Sequence, residues 1–96
     1  MEQARNLEWF MRNDDKVYVT VTERREADGT LVPLWFIWDD GKKYEISRVT
    51  DRRPAASLKA GGAGIRYTVI IADKVRYMYL EPHKTGDRWF MARREA

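Results

Sequence analysis

The 96-residue sequence contains no cysteine. Disulfides, thiol nucleophiles and cysteine-ligated zinc are therefore excluded, and a reducing, cytoplasmic setting is the expectation. A single histidine rules out multi-histidine metal sites and leaves Ser/His/Asp hydrolysis dependent on His83 alone. That residue falls in the expected turn Pro82-His83-Lys84, where a solvated turn histidine is the plainer reading. Long apolar runs are also missing: nothing approaches the roughly 18 residues of a membrane span. The opening stretch Met1 to Met11 (MEQARNLEWFM) lacks the basic start and apolar run of a signal peptide. These absences predict no membrane partner, no cofactor, no metal and no enzymatic chemistry, with an uncharacterised enzyme working through His83 as a remote alternative.

What remains is aromatic and charged. Four tryptophans, five tyrosines and three phenylalanines give enough bulk for one core, so a single domain over 1–96 is expected. The net charge of +3 is unevenly divided. Met1 to Ser47 holds seven Lys/Arg against ten Asp/Glu, whereas Arg48 to Ala96 holds eleven against five. Basicity belongs to the second half, where it forms either a solvated surface or a patch that attracts phosphates.

Periodicity assigns the elements. Ala4, Leu7 and Met11 recur at helical spacing, which predicts a short N-terminal helix within 1–13. From Val17 the period changes to two: Val17, Val19 and Val21 point one way, Tyr18, Thr20 and Thr22 the other. Glu26 to Thr30 reads as a turn that returns the chain antiparallel into Leu31 to Trp38.

The stretch "LWFIWDDGKKYEI" poses a register problem, because Asp39-Asp40-Gly41 can close a hairpin in two ways. A two-residue loop at Asp40-Gly41 would set Ile37 opposite Tyr44. A type I turn with a glycine bulge would set Phe36 opposite Tyr44, and a shift of one residue exchanges inside for outside. The bulged form is preferred, since it gathers Leu34, Phe36, Trp38, Tyr44 and Ile46 on one face. Trp35 and Ile37 are then left on the other, as a candidate protein contact covered by the N-terminal helix, another protein or a second copy in a homodimer. Pro33 removes a backbone donor and marks an edge or bulge.

Residues 50–64 (TDRRPAASLKAGGAG) read as a flexible basic loop. Its glycines are followed by no Gly-Lys-Ser/Thr and no helix, so a phosphate-cradling loop is the weaker reading. A second hairpin, turning at Asp73-Lys74, places Tyr67, Val69, Ile71, Met78 and Leu80 on one face and Thr68, Ile70, Tyr77 and Tyr79 on the other. A last strand, Arg88 to Arg93, alternates Trp89 and Met91 with Phe90 and Ala92. Six short strands with tight turns predict an all-β, mainly antiparallel fold: a small SH3-like barrel or a strongly bent six-stranded sheet with the N-terminal helix. Small barrels bind single strands by stacking bases on exposed aromatics among basic residues. Arg52, Arg53, Lys59, Arg66, Arg76, Tyr77 and Tyr79 form the candidate nucleic-acid contact.

The succession Pro33, Phe36, Trp38, Gly41, Tyr44, Ile46, Val49, Asp51, Tyr67, Val69, Tyr79, Leu80 and Arg88-Trp89 resembles a family of small uncharacterised bacterial domains. Members of that family lie beside or fused to translesion DNA polymerases. The resemblance spans Pro33 to Arg93, with a Trp-to-Gly interval one residue longer here and an alanine- and glycine-rich central loop. It implies a non-enzymatic accessory module and defines no catalytic residue. The sequence thus predicts a binding module acting through protein contact, with single-stranded nucleic acid as the alternative partner.

Overall fold

The computed structural model describes residues 15–55 and 64–93. The expected helix over 1–13 and Lys59 lie outside the described residues.

Seven antiparallel strands form one curled half-barrel sheet: β1 (Lys16–Arg25), β2 (Leu31–Ile37), β3 (Lys43–Glu45), β4 (Arg48–Pro54), β5 (Ile65–Ile71), β6 (Lys74–Glu81) and β7 (Arg88–Ala92). Their spatial order is β3-β2-β1-β7-β6-β5-β4. Two meanders, β1 to β3 and β4 to β7, are therefore joined along a β1/β7 seam running from Lys16↔Ala92 to Val19↔Trp89. The outermost strands, β3 and β4, are separated in the chain only by Ile46 and Ser47. Those neighbouring amides donate to Leu34 O on β2 (3.0 Å) and Ile70 O on β5 (2.9 Å). One short link thus reaches the strands beside both edges, and the sheet must curl for it to do so.

The seven-strand count corrects the expected six. β4 occupies the start of the expected loop over 50–64, pairing from Arg48↔Ile70 to Pro54↔Ile65 with a bulge at Thr50. Residues 50–54 are thus strand where a loop was expected, and beyond them Ala55 N donates to Gly64 O (3.0 Å).

The β2/β3 register is the bulged one, with Phe36↔Tyr44 and Ile37↔Lys43. Gly41, at φ +84°, donates to Trp38 O (2.8 Å), a backbone region that glycine enters without a Cβ penalty. Phe36, Trp38, Tyr44 and Ile46 join the core on the inner face, whereas Leu34 does not. The β1/β2 ladder skips Leu34 between Thr22↔Trp35 and Glu23↔Pro33. This bulge brings Pro33 and Leu31 inward in its place, and both are buried.

The inner face is otherwise as the alternation implies. Tyr67, Val69, Met78, Leu80, Trp89 and Met91 are buried together, each worth roughly 1.5–3 kcal/mol relative to exposure for the larger apolar chains. The β5/β6 turn is Ala72-Asp73 rather than Asp73-Lys74. Both residues have positive φ (50° and 66°), and Lys74 pairs with Ile71 inside the ladder.

Candidate binding site

The two ends of the half-barrel differ. At the end lined by Leu31, Tyr67, Leu80 and Trp89, polar tips tie the strands together across the core. Tyr67 OH donates to Leu31 O (2.6 Å), Trp89 Nε1 donates to Glu23 Oε1 (2.7 Å), and the two rings lie 4.9 Å apart. This end is closed.

The other end opens into a pocket of about 290 Å³ lined by Phe36, Trp38, Tyr44, Ile71, Ala72, Lys74, Arg76 and Met91. Two hairpin turns and one strand residue build it. The bulged β2/β3 turn places Phe36 and Tyr44 side by side, with rings stacked at 5.5 Å and 16°, and puts Trp38 beyond them at the strand's end. The tight Ala72-Asp73 turn lets Lys74 begin β6, and Arg76 follows two residues later on the same face, opposite the buried Val69. Met91 comes from β7.

The pocket's charge is lopsided. On the β2/β3 side, Asp39 pairs with Arg93 (3.1 Å), and Asp40 accepts from Lys42 N (2.9 Å) and Tyr44 OH (3.3 Å). On the β6 side stand two cations. Arg76 donates to Val75 O (3.1 Å), and among the described residues neither Lys74 nor Arg76 has a carboxylate partner.

The outer face carries a second aromatic array. Phe90 stacks on Tyr79 (4.9 Å, 8°) and meets Tyr18 edge-on (5.6 Å, 66°). Glu81 accepts from Tyr18 OH (2.8 Å) and Arg88 Nε (3.1 Å), with Lys16 Nζ 3.6 Å away. Burial alone would raise the Glu81 carboxyl. The Tyr18 hydroxyl, Lys16 and Arg88 outweigh that, and it sits below the usual carboxylate range. The Tyr18 phenol is raised, first by desolvation and then by Glu81.

The structure divides the residues chosen from sequence. Arg52 lies on the inner face over the Tyr67 ring (5.4 Å), at the closed end, while Arg76 is at the open end. Arg53, Arg66, Tyr77 and Tyr79 are on the outer face. There Arg53 pairs with Asp51 (2.7 Å) and Arg66 covers Tyr77 (4.8 Å). Tyr79 is 1% exposed, which corrects its assignment as an exposed stacking platform: the ring is sandwiched in its own cluster with Phe90 and Ala55. The seven basic and aromatic candidates therefore form no single track. Trp35 and Ile37 do sit on the outer face, both half-buried, with Lys43 Nζ 4.3 Å over the Trp35 ring.

His83 keeps to its own turn between β6 and β7, accepting at Nδ1 from Thr85 N (3.3 Å) and contacting Thr85 Oγ1 (2.9 Å). Among the described residues no three metal-ligating side chains converge, and no helix is long and apolar enough to cross a membrane. Lys74 and the pocket aromatics were missing from the sequence-level site. The one available signal was that Trp38 ends its strand, and so reaches a rim.

Compared with known proteins, the chain matches no family model, no curated protein and no solved structure.

Proposed function

We propose that this chain is a small non-enzymatic binding module that acts through protein contact at the open end of its half-barrel. The observation that carries the reading is the contrast within the pocket: an apolar floor of Phe36, Trp38, Tyr44, Ile71 and Met91 beneath two cations that have no carboxylate partner among the described residues. Binding sites combine such apolar floors with a few placed polar groups. At about 290 Å³ the pocket lies at the lower limit for drug-sized ligands. It suits one anchoring side chain of a partner better than an enclosed metabolite. His83, bonded within a turn at the other end of β6, supplies no base to this pocket.

The test is a peptide-display selection on the immobilised full chain, counter-screened on Trp38→Ala. Recovered sequences should lose about tenfold or more in affinity for the variant, as expected of an aromatic hot spot. Clones that bind both proteins equally, or no enriched clones at all, would remove the reading.

A further inference from the structure

The rim of the open end says more about the partner. Lys74 and Arg76 occupy alternate positions of β6, so both stand on the inner face, and their Cα atoms are separated by roughly 6.6–6.8 Å along the strand. An extended peptide has the same spacing between alternate side chains. Lys74 and Arg76 are the charged side chains among the residues that line the pocket, whereas in the β2/β3 turn Asp39 is paired with Arg93 and Asp40 accepts from Lys42 N and Tyr44 OH. The lining thus joins an apolar floor to charge of one sign.

Building on the binding-module reading above, we infer that the pocket takes an acidic, extended peptide segment of another protein. One apolar or aromatic side chain enters between Trp38 and Met91, and carboxylates at alternate positions meet Lys74 and Arg76. Single-stranded nucleic acid fits less well. Continuous phosphate binding needs a track of cations, and the other arginines of the candidate nucleic-acid contact are elsewhere: Arg52 at the closed end, Arg53 and Arg66 on the outer face.

The test is fluorescence anisotropy with the full-length protein and three labelled probes of equal length. The first is an extended peptide with one phenylalanine and alternating aspartates, the second its asparagine counterpart, and the third oligothymidylate. At about 50 mM salt the acidic peptide should bind roughly tenfold more tightly than the neutral one, and the gap should narrow at about 300 mM. Lys74→Gln/Arg76→Gln should abolish the gap while leaving thermal unfolding in place, and Trp38→Ala should weaken both peptides. If the two peptides bind equally and both depend on Trp38, the acidic preference is overturned but the module stands. If oligothymidylate binds more tightly than the acidic peptide and depends on the same two cations, a nucleic-acid site replaces this one. If no probe binds, the acidic-peptide inference is overturned, and the display selection alone decides the module.

Discussion

Trp89 and Trp38 stand at opposite ends of one curled sheet, and they illustrate how its two mouths differ. Trp89 is buried, packs on Tyr67 and fixes its indole N–H on Glu23. Trp38 is only part-buried against the core, and no side-chain hydrogen bond holds it among the described residues. Where polar tips are anchored across the sheet, the rings close the barrel. Where they are not, with Tyr44 bonded only to Asp40 in its own turn and Trp38 without a side-chain bond among the described residues, rings of the same kind leave space and two cations at the rim. Stability and the proposed recognition thus fall at different ends, and each can be tested.

The largest effect should come from truncating the two tryptophans in parallel. Trp89→Ala should cost about 3–5 kcal/mol in urea unfolding, because it opens a cavity among buried core residues. Trp38→Ala should cost only about 1–2 kcal/mol while removing peptide binding. Equal costs would erase the distinction. Next is Tyr67→Phe, which leaves Leu31 O without its donor at the closed end. A loss of about 1–2 kcal/mol is expected, with affinity at the open end unchanged.

Glu81→Gln probes the outer rim beside the closed end, with an expected cost of about 1 kcal/mol at neutral pH. Because the folded carboxyl lies below its usual range, its contribution is present above the unfolded-state value and fades as pH falls through the folded one. Wild type and variant should therefore converge in acid, as followed by urea unfolding across pH. The smallest change is Ala72→Asn in the open-end turn, which should gain about 0.5 kcal/mol because asparagine tolerates the left-handed backbone better than alanine. A thermal melt detects it, and a loss instead would mean that the alanine packs into the pocket wall.

How much of this could be read from the chain depends on whether the deciding contacts were local. The β2/β3 register was legible because the Gly41 turn and the alternation around it agree, and the β5, β6 and β7 faces followed from period two. Leu34 was misplaced because a bulge against β1 resets the phase, and bulges leave no periodic trace. β4 was hidden because Asp51-Arg52-Arg53-Pro54 is polar on both faces. Its strand conformation is imposed by pairing with β5 and not by its own pattern. Alternation put Tyr79 on the outer face correctly but could not say that the ring would be buried there. The pocket was invisible for a different reason: its walls come from two hairpins distant in sequence, and only the curl of the sheet brings them together.

The link at Ile46 and Ser47 carries a consequence for how the molecule assembles. It divides the chain where the charge changes sign, between an acidic first half, with seven Lys/Arg against ten Asp/Glu, and a basic second half, with eleven against five. Each meander can zip up from its own hairpins, whereas the β1/β7 seam must bring Lys16 to Ala92 and bears most of the loop-closure entropy. Attraction between oppositely charged halves would hasten that final encounter, so added salt should slow refolding in a stopped-flow experiment far more than it alters unfolding.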